Sequence, residues 1–588
     1  MNFHLPRLAL SCLLALQFAI STAAQNNTTP GKSRAILIEG FMPLEDQRLT
    51  GLRKVFLFVQ DGKIQQIKST EAEISNATAD TIRLTEKETG QKWLLSPGFI
   101  DMHNHLDHNV LPLWKNAKGQ FNNRFEWRDD KDYEANVRGI VQNVKKASNS
   151  ADANSNFCKI IQYAEIKALI GGVTSIQGVG GAANDNCVKD MLVRNIEHET
   201  DYEIKTDARV SMEVINPRHA AIMEDHVVPA MIEKDLDLVD AYNALSKEIK
   251  ANETYKFTDR FFLGLDKLLE IFENVIPLGN SSVRAYITHV AEGKTKDPFT
   301  KVEFKLAEAI GYAKRGMIII HGNGLDASDW KRAAQENVSL VWSPLSNILL
   351  YGETTDIVAA KEAGINIALG SDWSPSGSKT LLDEVKIAKR YLRAIGKSGL
   401  FTDKDFFEMM TINAAKALKL EDRLGELKEG RLADIVAFAM PAKTNERFSP
   451  YTYIVNANSE MIRLVVVNGK IAIAPSKNVL ATDVTERLTD VSEPTCQGLK
   501  DQVLVNAKVS LATVVSELKK VFTIDKQLIF DDYLTCRDEI YKKAIATLFT
   551  ETFKPQNIGN IVLPVGAPTF ESLVPQLQVL KDSNLNNK

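Results

Sequence analysis

Short apolar segments with alternating polar positions mark the first predicted elements of the chain. Ala35-Ile36-Leu37-Ile38-Glu39-Gly40 and Lys54-Val55-Phe56-Leu57-Phe58-Val59-Gln60 read as strands, and Gly40 and the Asp61-Gly62 pair supply strand-end and hairpin signals. A matching set returns far downstream, from Gly425 to Val436 and over Leu464-Val465-Val466-Val467-Asn468-Gly469-Lys470-Ile471. Between these two regions the pattern changes. Apolar strand-length runs, such as Met317-Ile318-Ile319-Ile320 and Ile365-Asn366-Ile367-Ala368-Leu369, alternate with helical patterns at Ala164 to Ile170, Phe304 to Lys314, Thr354 to Ala363 and Thr411 to Leu418. Gly171-Gly172 introduces a further strand to Gln177, and Ala208 to Ile215 is another candidate. Strands alternating with helices predict βα units around a parallel sheet. The polar stretch Asn116 to Asn156 is too long for an ordinary loop and reads either as a lid or specificity loop or as a surface insertion. Beyond about Leu480, helical periodicity over Val503 to Phe522 and Asp531 to Phe553 predicts an accessory helical segment without a recognisable motif.

The N-terminus adds a compartment to this picture. Arg7 precedes an apolar run from Leu8 to Ile20, and Ser21-Thr22-Ala23-Ala24 supplies small residues for cleavage. The run is short of the ~20 residues of a spanning helix, so residues 1–24 read as a secretory signal peptide and the expected destination is a periplasm. A lipid anchor on Cys12 fits poorly with the preceding Ala9-Leu10-Ser11. In an oxidising compartment the remaining cysteines, Cys158, Cys187, Cys496 and Cys536, suggest two disulfides. Proximity favours Cys158 with Cys187 and Cys496 with Cys536, although four cysteines permit three pairings. At 588 residues with 25% charged positions the chain has ordinary globular composition. A net charge of −4 and no long basic run disfavour nucleic acid or an anionic membrane as partner.

The chemistry concentrates at strand ends. The run Leu94 to Ile100 leads into Asp101-Met102-His103-Asn104-His105. Side chains alternate along a strand, so His103 and His105 point the same way, a start for a divalent metal site. Tyr286 to Val290 delivers a third histidine, His289, with Glu292 three residues on. His321 ends one apolar strand and Asp372 closes another. In a parallel α/β barrel such ends converge on one face.

Ser96-Pro97-Gly98-Phe99-Ile100-Asp101 before His103-x-His105, followed in order by His289, His321 and Asp372, resembles the amidohydrolase superfamily. The resemblance covers roughly 33–475 and is nearest to its single-metal group, which includes guanine deaminase, triazine hydrolases and imidazolonepropionase. It implies an α/β fold with a (β/α)8 TIM-like barrel over 96–421 and a small β-sandwich composed of 33–95 and 422–478, and it leaves the C-terminal helical extension over 479–588, read from periodicity, outside it. It also implies one divalent metal on His103, His105, His289 and Asp372. Zinc is the default for three imidazoles and a carboxylate with an open position, with iron and manganese left open by ligand type. Such an ion makes hydroxide from bound water near neutral pH. Glu292 would move the proton, His321 would polarise substrate or orient water, and Asp372 would also accept a proton. Trp342-Ser343-Pro344-Leu345-Ser346-Asn347 resembles a further family element in which Asn347 orders the site, and Trp373 stands beside Asp372 without mapping onto a substrate. No lysine suited to bridging two metals is evident.

The expected function is therefore an exported hydrolase that cleaves a non-peptide C–N bond in a cyclic or linear amide of small size. Deamination of an aminated heterocycle is the alternative, and a binuclear peptidase-like or N-acyl amidohydrolase the second. A binding protein on a hydrolase fold is disfavoured because no ligand is missing. A homo-oligomer stays open.

Overall fold

A computed structural model describes most of residues 34–178, 191–206 and 284–476, with shorter stretches at 227–247 and between 484 and 528. The leader at 1–24, the strand candidate Ala208 to Ile215, Cys496, Cys536 and the helical pattern Asp531 to Phe553 lie outside the described residues. The two ends of the globular region meet in one sheet. Strands β1 (Ile36–Pro43), β2 (Leu52–Gln60), β3 (Lys63–Lys68), β4 (Ile82–Leu84) and β5 (Trp93–Pro97) come from the first end. β6 (Phe99–Asp101), β7 (Val173–Ile176), β8 (Arg194–Asn195), β9 (Ile204–Thr206), β10 (Ala285–Val290), β11 (Met317–His321), β12 (Ser339–Trp342) and β13 (Asn366–Leu369) follow. The second end returns with β14 (Ile435–Ala439), β15 (Ile462–Val467), β16 (Lys470–Pro475), β17 (Val484–Arg487) and β18 (Gln502–Val505). The hydrogen-bonded order β17-β18-β16-β15-β14-β5-β1-β2-β3 is continuous, with β4 also on β1. Its join is the antiparallel pair β14–β5, in which Val436 faces Ser96. Ile38, Leu57, Trp93, Leu95, Ile435 and Leu464 pack in one core on this sheet.

β6 to β13 are all parallel where they pair, in the orders β6-β7-β8 and β13-β12-β11-β10-β9. The two sheets touch where Asp372 N–H donates to the His103 carbonyl (2.9 Å) and Asn104 bridges Asp372. Ile100 of β6, Ile287 of β10, Ile318 and Ile320 of β11, Val341 of β12 and Ala368 of β13 pack together as an inner core. This is the TIM-barrel type of α/β fold. Local chemistry sets the element ends. Asn156–Ile170 is a helix capped by the Ser155 hydroxyl on Cys158 N–H, and Gly172 at φ +81° stops it before β7. Ala327–Gln335 begins with an Asp326/Asp329 capping box.

Two regions differ from the sequence expectation. The 116–156 stretch is not a loop but carries the helices Arg124–Arg128, Lys131–Tyr133 and Gly139–Ala147. In the segment after 479, expected as helical, the described residues include two strands that extend the large sheet, and only Leu511–Val521 is helix among them. The four-residue run Gln502–Val505 is too short to outweigh the helical pattern that follows it. Cys158 and Cys187 form a disulfide. Among the described residues no helix is long and apolar enough to cross a membrane.

Candidate metal centre

Four imidazoles and two carboxylates converge at the C-terminal ends of the parallel strands. Metal-binding atoms lie within 4.8 Å of one another in three overlapping sets: His103, His105 and His289; His103, His321 and Asp372; His289, Glu292 and His321. His103 Nε2 stands 3.2 Å and His105 Nε2 3.4 Å from Asp372 Oδ1. Two donors about 2.0–2.1 Å from a tetrahedral ion would sit roughly 3.3 Å apart, so both spacings suit a shared ion. Both ring nitrogens of His103 are buried and take no hydrogen bond among the described residues, which a cation on Nε2 would partly relieve. The nitrogen and oxygen donor set fits a divalent ion.

Unusual backbone puts several of these groups in place. Ala291, His321 and Asp372 have φ of +56°, +71° and +59°, the left-handed region that non-glycine residues rarely enter. The period of β11 would place His321 with Ile319, which packs on the outer core. The left-handed turn swings it to the inner end instead. A Cβ on Gly370 would meet His103 Cβ at 2.5 Å, so β13 approaches the His103 segment only with glycine there. Asp101 clamps the same junction. Its carboxylate accepts from Ser371 N–H (3.0 Å), the Ser371 hydroxyl and Asn104 Nδ2 (3.0 Å), while burial pushes its carboxyl up.

The electrostatics favour neutral His105 and His321 and ionised Asp372 and Glu292. Burial and then repulsion from His103 lower His105 to about 3, though a third of its side chain faces the cavity. Burial lowers His321 to about 4 against the pull of Glu292. Burial alone would raise Asp372, but His103 first and then His105 and His321 hold it well below the usual carboxylate range. Glu292 is lowered in net, the opposition of burial being overcome by His321, His289 and Arg124. Asn347, in the first turn of the Pro344–Tyr351 helix, places Oδ1 2.7 Å from His321 Nδ1. Its Nδ2 donates to Thr354 (3.0 Å), so Oδ1 accepts and His321 carries its proton on Nδ1. Nε2 then points 3.8 Å from Glu292 Oε1.

The cluster opens into a cavity of about 240 Å³. Trp373 forms one wall, with ring centroids 5.6 Å from His105, 5.3 Å from His108, 5.4 Å from Trp127 and 5.9 Å from Tyr133. Every site residue named from the sequence thus falls in or beside one cavity, apart from the cysteines. His108, Trp127, Tyr133, Arg124 and Tyr351 were not named. His108, held by Asp107 (2.8 Å), carried a signal in its spacing of three from His105; the others carried none. A larger cavity of about 420 Å³ near Gln142 and Cys187 holds none of these groups.

Residues 278–472 match the amidohydrolase family. A 5-methylthioadenosine/S-adenosylhomocysteine deaminase of Thermococcus onnurineus is 30% identical over 214 residues, 34% of this chain and 50% of that one. The chain thus spans about half the length of the first curated relatives it matches. A 5'-deoxyadenosine deaminase of Methanococcus maripaludis is 24% identical over 460 residues, 74% of this chain and 94% of that one. Among solved structures, an atrazine chlorohydrolase of Arthrobacter aurescens complexed with zinc and atraton superposes with a TM-score of 0.53 at 14% identity, covering 83% of this chain and 99% of that one. Guanine deaminase of Bradyrhizobium japonicum gives 0.50 at 16% identity, covering 74% and 99%. These structures bear on the fold. The resemblance read from the sequence is borne out.

Proposed function

We propose that this chain, a relative of the metal-dependent amidohydrolases, hydrolyses a non-peptide carbon–nitrogen bond in a small molecule, and that the bond is the exocyclic one of an aminated heterocycle. The convergence of His103, His105, His289, His321, Glu292 and Asp372 on one cavity carries the first part of this reading. The sequence alone put amide hydrolysis ahead of deamination. Relatives named as deaminases of adenine nucleosides reverse that order.

In this reading His103, His105, His289 and Asp372 hold one divalent ion, with zinc favoured by the donor set, and the eight parallel strands close into a barrel. Bound there, a divalent ion would supply a water acidic enough to ionise near neutral pH. Glu292 takes the water's proton and returns it to the departing nitrogen. His321, with its proton fixed on Nδ1, offers Nε2 to the group that gains charge. The wall of Trp373, Trp127 and Tyr133 packs on a flat ring and excludes water. Ammonia release by the zinc-loaded chain is measured on 5'-deoxyadenosine, methylthioadenosine, guanine and aminated triazines, beside lactams and hydantoins. Release from at least one amine supports the reading; turnover of the cyclic amides alone restores amide hydrolysis.

A further inference from the structure

The 116–156 insert reaches the site in a way that its sequence does not announce. Trp127, in the helix Arg124–Arg128, donates its indole N–H to the Tyr351 hydroxyl (2.7 Å). Tyr351 in turn donates that hydroxyl's one proton to Glu292 Oε1 (2.6 Å). All three side chains are buried. Because the indole is a donor only, it fixes which way the phenol proton points. Among the described residues Glu292 Oε2 takes no hydrogen bond.

A second strut comes from the same short helix. Arg124 makes a two-pronged ion pair with Glu303 (2.6 and 3.2 Å), and Glu303 Oε2 also accepts the Ala291 N–H (2.6 Å). Ala291 is the left-handed residue just before Glu292. Arg124 N–H donates to the Glu292 carbonyl (3.3 Å), and Asn123 bridges Gly293. The insert also ties down the other partner, since Phe121 N–H donates to the Leu350 carbonyl (2.8 Å). Tyr351 ends the helix in which Asn347 holds His321, so one helical face, at a spacing of four residues, steers both non-ligand groups.

We propose that the insert is a positioning element for Glu292: through Trp127 it orients Tyr351, and Tyr351 occupies Oε1 so that Oε2 is the oxygen presented to the reacting water and the leaving nitrogen. Tyr351 and Trp127 are positioning residues in this account. It rests on the reading of Glu292 as the proton carrier. An insert that only covered the cavity would contact the substrate space and leave the groups that hold the carboxylate to the barrel.

The test uses the full, zinc-loaded chain and whichever amine of the panel releases ammonia. Tyr351→Phe is expected to lower kcat about tenfold or more, with KM and zinc content changed less than about twofold. In a Glu292→Gln background the same change is expected to do almost nothing, because its path of action is already cut. An equal fall in both backgrounds would mark a general structural role and overturn the proposal, as would unchanged kcat in Tyr351→Phe. Full activity in Glu292→Gln would instead remove the reading beneath it. A crystal structure of zinc-loaded Tyr351→Phe needs no substrate. There the Glu292 carboxylate is expected to leave its wild-type orientation, and an unmoved carboxylate overturns the proposal even for a chain that turns over nothing in the panel.

Discussion

His103 shows how surroundings assign a side chain its work. Its ring is 1% exposed, sits 4.7–5.2 Å by centroid from three other imidazoles, and has no hydrogen-bond partner on either nitrogen among the described residues. Such a group has a cost in a folded core unless something binds it. His103→Ala should therefore lose zinc and turnover together, as metal analysis and the ammonia assay would show. Glu292 differs, since Tyr351 and His321 surround it and it can act without being a ligand. Glu292→Gln should keep zinc near one per chain and lower kcat roughly 10²-fold or more; loss of zinc would make Glu292 a ligand. The histidines, Glu292, Asp372 and Asn347 were legible because each ends or follows a strand-length apolar run. Trp127 and Tyr351 were not, because they lie 224 residues apart and meet only across the folded insert.

The helix Asn156–Ile170 illustrates the element scale. Its second half, Ala164 to Ile170, and the following β7 were readable from apolar spacing and Gly171-Gly172, but its start was not, since Ser155 acts as a cap only in context. Glu165 within it is 1% exposed and accepts the N–H groups of Leu192 (2.6 Å) and Val193 (3.1 Å) just ahead of β8. Burial pushes its carboxyl up to about 8, against the lowering by those two donors. Between the unfolded value near 4.5 and about 8 the folded state thus holds a proton that the unfolded chain has lost, so this group's contribution falls as pH rises through that window. Glu165→Gln keeps an acceptor oxygen and has no such slope. Its stability relative to wild type should rise from about pH 5 to about pH 8.5 in urea unfolding; a flat difference would place the carboxyl's titration at its ordinary position. The same helix is tied by Cys158 to Cys187, a separation of 29 residues. Replacing both cysteines by serine should cost about 3 kcal/mol at neutral pH, read from the same urea midpoints.

At the scale of the whole molecule the chain leaves its first sheet, builds the parallel strands, and comes back to finish the sheet it began. The sequence showed two similar strand sets and the parallel core between them. It did not show that the set continues past residue 478, because β17 and β18 are four residues each and pair only with strands already in place. The described part of that extension is not an appendage. Leu504 joins the main core, and Leu511, Val514, Val515, Leu518 and Phe522 belong to the same cluster, where the helix Leu511–Val521 lies against Asn156–Ile170. At roughly 1.5–3 kcal/mol for each fully buried apolar side chain, six of them contribute an amount comparable with the ~5–15 kcal/mol by which a domain is stable. That sum is an upper bound, since unfolded chains already bury part of this surface. Even half of it would be a large share of that stability. A chain ending at residue 478 should therefore aggregate or lose its cooperative thermal transition, with the β16 edge and the outer face of Asn156–Ile170 uncovered. Leu518→Ala in the full chain gives the graded version, an expected loss of about 2–5 kcal/mol in urea unfolding. A truncated chain that melts cooperatively within a few degrees of the full one, together with a near-silent Leu518→Ala, would mean that the strands and helix after 478 rest on a core complete without them.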